Sequence, residues 1–357
     1  LRPKKNFFRL LKNGDVLLHH PFQPFEPFIT FLKQAAKDPN VLAIKQTLYR
    51  AGNDSPVVDA LLQAAQAGKD VLAVIELRAR FDEEANIELA NRLRESGAQV
   101  VYGVTGHKTH AKMCLVLRRE KKRLVRYIHL GTGNYHPLIA RSYTDYGLFS
   151  ARSQLAEDVQ KMFQQIAGMG QIGNLKQILQ SPFTLHEGVL ALIENETKSA
   201  KKGKPAAIYA KMNALIEPKV IEALYRASQA GVKIKLIVRG ICSLKPGLKG
   251  FSENIEVRSI IGRFLEHSRV FYFSNRGDPK IYLASSDWME RNFFRRIEIF
   301  FPIDDPVLKR RIFEESFENY LKDNTQAWKL KKDGTYKLVE RKGSSYSAQE
   351  KMLKKFE

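Results

Sequence analysis

The sequence predicts an α/β protein of two tandem domains, each a mixed, mostly parallel sheet flanked by helices, with the two domains related by a pseudo-twofold duplication. Three observations lead to this fold class. The chain has 357 residues, a length typical of about two domains. One helical segment occurs twice, and strand-type segments flank both copies. The domains are expected at residues 1–177 and 178–357, with the seam near a glycine cluster at residues 168–173.

The repeated helix is predicted over residues 57–69 and again, 163 residues later, over residues 220–232. Each copy is amphipathic, begins near a proline and ends at a glycine (Gly68 and Gly231), which are common start and stop signals. The apolar segments that flank the two copies lie at residues 41–49 and 71–77, and at residues 206–210 and 234–238. Strand, helix and strand therefore follow one another twice.

The remaining pattern predicts further elements in chain order. A helix carries apolar residues at Ala85, Leu89 and Leu93 and ends at Gly97. Strands are then expected near residues 99–104, 112–118, 124–130 and 144–149. The second half is expected to contain a helix near residues 307–321, a hairpin around an Asp-Gly pair over residues 328–338, and a short closing helix.

The charge of the chain restricts the class of partner. The formal net charge is +21, and it is shared almost equally between the two halves. A hydrophobic fraction of 44% is enough for folded cores, which argues against a disordered basic tail. A folded and evenly basic protein is expected to bind a polyanion, such as nucleic acid, an anionic membrane surface or a phosphate-rich substrate.

The cysteine content and the ends of the chain indicate the compartment. The two cysteines, Cys114 and Cys242, lie in apolar segments of strand type and are expected to be core residues of a protein in a reducing compartment. No window is long and apolar enough for a membrane span, and no signal peptide opens the chain. The expected location is cytoplasmic, with peripheral association at the inner membrane left open. Because the chain starts at Leu1 in a charged segment, it is expected to be part of a longer protein.

Two histidines occur at matching places in the two halves. His110 heads the triplet His-Ala-Lys and His267 heads His-Ser-Arg, and each triplet follows its repeated helix at a similar distance and leads into an apolar strand. A duplicated fold can bring two such residues to one site. A neutral imidazole is nucleophilic near pH 7, and a cation two residues away, such as Lys112, can hold phosphate oxygens. The alternative for either histidine alone is a strand-end residue with a purely structural role.

Three arginines extend this basic group. Arg50 ends one strand of the first half, Arg80 follows the next, and Arg239 ends the matching strand of the second half. In open α/β sheets, ligands bind beyond the carboxyl ends of the strands. A guanidinium matches phosphate oxygens well, so these residues are candidates for phosphate binding, with scattered surface arginines as the alternative.

A Gly-Thr-Gly-Asn sequence, Gly131 to Asn134, follows His110 and Lys112 by about two dozen residues. In this order and spacing the motifs resemble the signature of the phospholipase D superfamily, in which two halves join around one histidine pair. Hydrolytic members usually carry Asp five residues after the Lys and Ser after the first Gly of the later motif. Leu117 and Thr132 occupy those places here, which makes simple phosphodiester hydrolysis less favoured.

Longer motifs across nearly the whole chain resemble the histidine-phosphorylating polyphosphate kinase family. These motifs are Ala79-Arg80-Phe81-Asp82-Glu83-Glu84-Ala85-Asn86, Thr109-His110-Ala111-Lys112, His129-Leu130-Gly131-Thr132-Gly133-Asn134, Tyr143-Thr144-Asp145-Tyr146, Val238-Arg239-Gly240-Ile241-Cys242-Ser243-Leu244, Leu265-Glu266-His267-Ser268-Arg269 and Ser285-Ser286-Asp287-Trp288-Met289-Glu290-Arg291-Asn292. The resemblance is to the two C-terminal catalytic domains, both phospholipase D-like. The N-terminal domain and the helical dimerisation domain of the family are absent from this sequence.

The resemblance implies reversible transfer of the ATP γ-phosphate to inorganic polyphosphate through a phosphohistidine. It assigns the nucleophile to His110, and it assigns ATP contact and assistance to the leaving oxygen to His267. Tyr143 and Arg239 match ATP-binding positions. Arg50 and Arg80 match positions recorded next to magnesium, and since a guanidinium has no acceptor atom, we expect them to hold phosphates that carry Mg²⁺.

The partners implied by the resemblance are ATP, ADP and polyphosphate, with no nucleic acid and no transmembrane segment. The full-length protein is expected to form a dimer or tetramer through the helical domain. A phospholipase D-like phosphodiesterase or nuclease is the alternative enzyme. A non-enzymatic nucleic-acid-binding module is a third reading, but zinc-ligand spacing, aromatic RNA-binding motifs and a basic recognition helix are absent from the sequence.

Overall fold

The computed structural model describes residues 6–49, 55–76, 83–104, 106–168, 174–341 and 343–357. The chain divides into two compact units. The first unit comprises Leu1–Ile178 together with Arg295–Ile297, and the second comprises Leu179–Phe294 and Glu298–Glu357.

The first unit is a mixed sheet with helices packed on it. Its elements are α1 (Phe7–Leu11), β1 (Val16–His20), α2 (Glu26–Lys37), β2 (Val41–Leu48), α3 (Pro56–Gln66), β3 (Asp70–Ile75), α4 (Glu83–Glu95), β4 (Gln99–Val101), β5 (Lys108–Thr109), β6 (Lys112–Glu120), β7 (Arg123–Gly131), β8 (Tyr143–Ser150) and α5 (Ser153–Ile166). The strand order of the sheet is β1-β8-β7-β6-β2-β3-β4.

The core of the first unit lies where α2 and α3 pack side by side. Phe28, Phe31 and Leu32 form the apolar stripe of α2 and are fully buried, as are Val57 and Leu61 of α3. The α3 stripe is the one that the sequence repeat predicts. Burial of a side chain of this size contributes about 1.5–3 kcal/mol, so these two stripes supply much of the energy that holds the helices on the sheet.

The second unit repeats this arrangement and extends it. Its elements are β9 (Leu179–Ser181), α6 (Leu185–Lys201), β10 (Ala207–Met212), α7 (Pro218–Gln229), β11 (Lys233–Val238), β12 (Ile255–Ile260), β13 (Leu265–Glu266), β14 (Arg269–Phe273), β15 (Lys280–Ala284), α8 (Glu290–Phe294), β16 (Arg296–Ile303), α9 (Pro306–Phe313), α10 (Asn319–Leu321), β17 (Ala327–Leu330), β18 (Tyr336–Leu338) and α11 (Ala348–Phe356). A π-helical segment, Glu314–Glu318, joins α9 to α10. The sheet order is β9-β16-β15-β14-β10-β11-β12-β17-β18.

The two sheets have the same topology, which confirms the predicted duplication. The sequence β1-β8-β7-β6-β2-β3-β4 of the first unit corresponds strand by strand to β9-β16-β15-β14-β10-β11-β12 of the second. The repeated helices are α3 and α7, and each is followed by a glycine with a positive φ, +76° at Gly68 and +94° at Gly231. The prediction of two tandem α/β domains with mixed sheets is therefore confirmed.

The prediction that the sheets are mostly parallel is wrong. Within the two strand orders given above, the parallel pairings are β2–β3 and β3–β4 in the first unit, and β10–β11 and β11–β12 in the second. The pairings β6–β7 and β7–β8 are antiparallel, as are β14–β15 and β15–β16. The physical reason is the connection length: even the longest of these connections, residues 132–142 and 285–295, are shorter than the dozen or more residues that a parallel crossover requires.

The C-terminal elements and one of the two cysteines agree with the sequence predictions. The hairpin near residues 328–338 is β17–β18, the helix near residues 307–321 begins at α9 and ends at α10, and α11 closes the chain, so these three are confirmed. Cys114 is buried in β6, as expected, but the prediction for Cys242 is wrong, because it lies in the partly buried loop after β11. Among the described helices, none combines the length and the apolar character needed to cross a bilayer.

Candidate functional site

His110 and Lys112 form a buried pair at the start of β6. His110 lies between β5 and β6, is 9% exposed, and packs edge-on against the ring of Tyr49, with 5.5 Å between ring centroids. Lys112 is only 2% exposed, and its Nζ donates a hydrogen bond of 2.5 Å to the carbonyl oxygen of His110. The ammonium also lies 5.7 Å from the centre of the Tyr49 ring. The predicted imidazole and its cation therefore share one small cluster.

Two buried polar residues hold the segment that carries His110. Glu76, directly after β3, accepts a hydrogen bond of 2.8 Å from the backbone N–H of Thr109. Asn86 of α4 donates to the carbonyl oxygen of Glu76 at 3.1 Å. Because both residues are almost fully buried, these bonds form in a low-dielectric environment and restrict the position of the loop.

The Gly-Thr-Gly-Asn sequence lies beside the start of β6, because Gly131 of β7 pairs with Lys112. Thr132 is fully buried and donates its hydroxyl hydrogen to Asp145 Oδ1 at 2.6 Å. A Cβ atom at Gly133 would lie 2.1 Å from Asp145 Oδ2, so only glycine fits there. In the first unit the motif thus forms a tight turn fixed to Asp145, and the threonine hydroxyl also accepts a hydrogen bond of 3.0 Å from the backbone N–H of Tyr146.

The remaining first-unit candidates have different outcomes. Tyr143 opens β8 and is half-buried. Arg50 and Arg80 lie outside the described residues. Leu117 lies half-buried within β6, five residues along the strand from Lys112.

In the second unit, His267 and Arg239 belong to one hydrogen-bonded network. Arg239, directly after β11, donates from Nε to Asn213 Oδ1 at 3.1 Å. Asn213, directly after β10, donates from Nδ2 to the carbonyl oxygen of His267 at 3.2 Å, and its backbone N–H donates to Asp287 Oδ1 at 2.7 Å. Two residues predicted separately from the sequence are therefore joined through Asn213.

Arg269 and Asp287 complete this network as a buried ion pair. Arg269 donates from Nη2 to Asp287 Oδ2 at 3.1 Å and from Nε to Oδ1 at 3.3 Å. Its Nη1 lies 3.1 Å from Nε2 of His267. Because a guanidinium can only donate, that ring nitrogen is the acceptor. Arg269 thereby connects the buried carboxylate to the second histidine.

The charge of Arg269 changes the proton affinity of its partner. Burial acts to raise the pKa of Asp287, but the positive charge and hydrogen bonds of Arg269, with the hydrogen bond from the Asn213 amide, outweigh it. The pKa of Asp287 is therefore lowered, and the carboxylate stays ionised at neutral pH.

The segment Ser285 to Asn292 serves both the site and the core. Asp287 points into the network, whereas Ser285 and Asn292 each donate to the buried carboxylate of Glu298 at 2.5 Å. Trp288 is fully buried and stacks on Phe271, with 4.9 Å between ring centroids. In this segment, Asp287 belongs to the network around His267, whereas Ser285, Trp288 and Asn292 pack and hydrogen-bond in the core.

Sequence reasoning missed Glu76, Asn213 and Asp287 as site residues. A signal existed for Glu76, because it is an acidic residue at the carboxyl end of an apolar strand, the same position that selected the arginines. Asp287 lies after a strand-type segment within one of the family-like motifs, but its arginine partner could not be identified from spacing. Asn213 gave no signal in the sequence.

A resident metal site among the described residues would require several ligating side chains close together. No group of three or more His, Cys, Asp or Glu side chains among them is arranged to hold a metal ion. The side chains described around the two histidines include Lys112, Arg239 and Arg269, which suit phosphate oxygens rather than a bare divalent cation. This donor set fits a metal ion that arrives bound to phosphates.

Two protein-family models together match nearly the whole chain. Residues 6–172 match the model of polyphosphate kinase C-terminal domain 1, and residues 178–349 match the model of polyphosphate kinase C-terminal domain 2.

Among curated relatives, the chain is 58% identical to a polyphosphate kinase of Xylella fastidiosa (strain 9a5c) over 355 residues, which cover 99% of this chain and 51% of the relative. It is also 58% identical over 344 residues to a polyphosphate kinase of Pseudomonas aeruginosa (strain PAO1), covering 96% of this chain and 50% of the relative. The chain therefore spans about half the length of the curated relatives it matches.

Solved structures agree with this assignment. Polyphosphate kinase from Porphyromonas gingivalis superimposes with a TM-score of 0.90 at 36% identity, covering 97% of this chain and 53% of that chain. Phosphatidylserine synthase from Haemophilus influenzae Rd KW20 shares the fold, with a TM-score of 0.59 at 12% identity, covering 96% of this chain and 92% of that chain. The chain belongs to the polyphosphate kinase family, of which it contains C-terminal domains 1 and 2.

Proposed function

We propose that this chain forms the catalytic part of an ATP:polyphosphate phosphotransferase, which transfers the γ-phosphate of ATP reversibly to the end of inorganic polyphosphate. The observation that carries the proposal is the buried pair of His110 and Lys112. An imidazole in contact with one aromatic ring and close to one ammonium group is suited to accept a phosphoryl group and to neutralise its charge. Family membership supports the same substrate class.

The proposed reaction consists of two successive phosphoryl transfers. In the first, a ring nitrogen of His110 attacks the γ-phosphorus, so that an N–P bond forms, the bridging P–O bond breaks and ADP leaves. In the second, a terminal oxygen of polyphosphate attacks the phosphohistidine, so that a P–O bond forms and the N–P bond breaks. Such transfers depend mainly on positioning and on charge neutralisation, which Lys112 provides beside His110.

The second unit is proposed to hold the nucleotide. Within this unit, His267 contacts ATP and assists the leaving oxygen, and Arg239 binds ATP. Tyr143, at the start of β8 in the first unit, is proposed as a further ATP-binding residue. Support comes from the network in which Asn213 connects Arg239 to His267. The Arg269–Asp287 pair keeps a guanidinium against the His267 ring, which restricts the position of that ring before the substrate binds.

The proposed cofactor is Mg²⁺, held mainly through the phosphates near Arg50 and Arg80 and supplying charge neutralisation on the triphosphate when it is bound. The proposed functional domains are residues 1–177, which carry the phosphohistidine, and residues 178–357. For the whole protein we propose a cytoplasmic dimer or tetramer that acts on ATP, ADP and polyphosphate, with no nucleic acid among its substrates.

The test compares the full-length protein with its His110→Ala and His267→Ala variants. Each is incubated with γ-labelled ATP and Mg²⁺, and protein label and polymer are separated. We expect acid-labile, base-stable label and growing polymer in the wild type, no label in His110→Ala, and slower labelling in His267→Ala. Wild-type protein that forms neither label nor polymer, but hydrolyses a phosphodiester, would contradict the proposal and favour the phosphodiesterase alternative.

A further inference from the structure

The β6–β7 hairpin carries a dense group of cations at its tip. Arg119, Lys121, Lys122 and Arg123 are all exposed, and we call these four residues the basic hairpin surface. They line an open cavity of about 850 Å³ together with Lys12 and Arg118. The turn itself places Lys121 in the left-handed region, at a φ of +53°. The sequence alone gives a solvated turn as the simplest explanation of this run.

The carboxylates next to this surface are already paired. Glu120 accepts from Lys12 Nζ at 2.6 Å, from Arg118 Nη1 at 2.9 Å and from the Tyr127 hydroxyl at 2.5 Å. Asp38 accepts from Arg118 Nε at 2.9 Å. Burial acts to raise the pKa of Glu120, but the bonds from Lys12, Tyr127 and Arg118 lower it. These two acidic groups are therefore ionised and engaged with other donors.

The four residues of the basic hairpin surface have no such neutralisation. No ion pair joins any of them to a carboxylate among the described residues. Four like charges within five positions repel one another in the absence of an anion, at a cost that falls with salt. A bound polyanion would remove that repulsion and replace the counterions around the hairpin.

The surface lies far from the candidate catalytic pair in the same unit. Lys112 begins β6 and Glu120 ends it, so the tip is separated from Lys112 by the length of the strand, roughly 25 Å at the usual rise per residue. A single phosphate at His110 cannot reach the hairpin tip, whereas a long chain can. The surface is therefore suited to the interior of a polymer rather than to its reacting end.

The lining of the cavity distinguishes between polyanions. Among the described residues, it contains Asn40 and Val125 beside the charged residues and no aromatic side chain on which a base could stack. One exposed leucine, Leu124, flanks the turn, which is too little apolar surface for insertion into a bilayer. Exposed ammonium and guanidinium groups without aromatic neighbours suit a ligand that offers phosphate oxygens alone.

We propose that the basic hairpin surface is a second binding site for the polyphosphate chain, which holds the interior of the polymer away from the His110 site. The choice of polyphosphate rests on the proposed function. A long chain that occupies this site is held at two places, at the hairpin and at its reacting end. The second contact raises the affinity for long chains and takes no part in the phosphoryl transfer.

The experiment compares two variants of the full-length protein with equal loss of charge. One carries Arg119→Gln, Lys121→Gln, Lys122→Gln and Arg123→Gln. The control carries Lys198→Gln, Lys201→Gln, Lys202→Gln and Lys204→Gln, four exposed lysines at the end of α6 and just after it. Circular dichroism and thermal unfolding verify that both fold. Affinities for long-chain polyphosphate, tripolyphosphate, single-stranded DNA and anionic lipid vesicles are measured at two salt concentrations without ATP.

We expect the hairpin variant to bind long-chain polyphosphate about tenfold more weakly than wild type, with a smaller salt dependence, and to bind tripolyphosphate unchanged. The control should match wild type. The inference is overturned if the hairpin variant keeps its long-chain affinity, if the control loses as much, or if DNA or vesicles bind to this surface at least as tightly as polyphosphate. These binding measurements use no ATP and therefore do not depend on phosphorylation of His110. The proposed function is tested separately, by the labelling experiment with γ-labelled ATP.

Discussion

At the scale of single residues, the second histidine depends on a buried carboxylate that does not touch it. Asp287 holds Arg269 by two hydrogen bonds, and Arg269 in turn reaches the His267 ring. Removing one member of a buried ion pair leaves the other charge without compensation, which typically costs about 3–5 kcal/mol. The stability of the second unit and the position of His267 are thus linked through one side chain.

We therefore expect Asp287→Ala to lower the free energy of unfolding by about 3–5 kcal/mol, as measured by urea denaturation. Asp287→Asn should cost less stability but still slow the reaction, because the amide cannot hold the guanidinium in the same way. The split between KM for ATP and kcat shows whether His267 acts on binding or on the transfer step. Glu222→Gln, on the exposed face of α7, is the matched control and should change stability by less than about 0.5 kcal/mol. An Asp287→Asn protein with unchanged stability and kinetics would contradict this role.

Thr132 provides a second test at the same scale. Thr132→Val keeps the shape but removes both the donor to Asp145 and the acceptor of the Tyr146 backbone N–H. We expect a loss of about 3 kcal/mol in the free energy of unfolding, since one lost bond is to a carboxylate and the other leaves a buried N–H unsatisfied. Thr132→Ser keeps the hydroxyl and should lose about 1 kcal/mol or less. Because the hydroxyl is committed to Asp145, the serine variant should also gain no phosphodiesterase activity. Diester hydrolysis by Thr132→Ser would show that this hydroxyl does more than hold the turn.

Some site residues could be predicted from their residue type and position in the sequence, whereas others depend on the order of the strands in the sheet. His110, Lys112, His267 and Arg239 follow from their residue type and their place after a strand, and the fold puts each pair into one cluster. Asn213 could not be found in this way. Its role arises because the ends of β10, β11 and β14 lie side by side, which is a property of strand order and not of spacing along the chain.

At the scale of elements, the two repeated helices end in the same way. Gly68 and Gly231 follow α3 and α7 with positive φ, and a Cβ at either position would meet nothing within 4 Å. The conformation alone therefore selects glycine at these two positions. An L-residue in the left-handed region costs about 1 kcal/mol, and asparagine tolerates that region better than alanine.

This predicts equal effects in the two units. Gly68→Ala and Gly231→Ala should each lower the free energy of unfolding by about 1 kcal/mol, and the corresponding Asn variants should lose about half as much. Urea denaturation of the four variants measures the effect. A loss at one position that is several times the loss at the other would mean that the helix ends are not equivalent, against the duplicated topology.

Element prediction succeeded where a periodic pattern is accompanied by a second signal, such as the internal repeat, a terminating glycine or an Asp-Gly turn. The α3 and α7 stripes, the β6–β7 pair and the β17–β18 hairpin were all predicted. β12, β15 and α6 were not predicted, although each carries a periodic signal. Buried residues alternate in β12 and β15, and they recur at helical spacing in α6, at Leu185, Val189 and Ile193. The direction of the strands was also misjudged, since helices between β2 and β3 suggested crossovers throughout the sheet.

At the scale of the whole molecule, the buried histidines are unevenly distributed. His19, His20 and His129 of the first unit are all buried, and burial lowers the pKa of His20 to about 4 and also lowers the pKa of His129 well below its usual value. A histidine with a lowered pKa binds a proton more readily when unfolded. Its contribution to stability is therefore complete above pH 6.5 and is lost as the pH falls towards 4.

For His20 alone this loss amounts to about 3 kcal/mol, from a shift of 6.5 to about 4. We expect acidification to unfold the first unit before the second, in which the strongly paired Glu256 has a pKa lowered to about 2 by Lys235 and Arg258 against the effect of burial. Both tryptophans, Trp288 and Trp328, lie in the second unit, so their fluorescence reports that unit alone. Far-ultraviolet circular dichroism should change at higher pH than the fluorescence. A single shared midpoint would contradict this order.

The edges of the two sheets have a consequence for how the chain behaves at high concentration. In the first unit the sheet ends at β4, with only three residues, and in the second the hairpin β17–β18 covers β12 and leaves another three-residue strand outermost. Short outer strands offer few unpaired backbone groups to a neighbouring molecule. Deletion of the β17–β18 hairpin would leave β12 as the outermost strand, with six residues that include two isoleucines and a valine. Its unpaired backbone groups could then pair with strands of other molecules, and the protein would aggregate more readily.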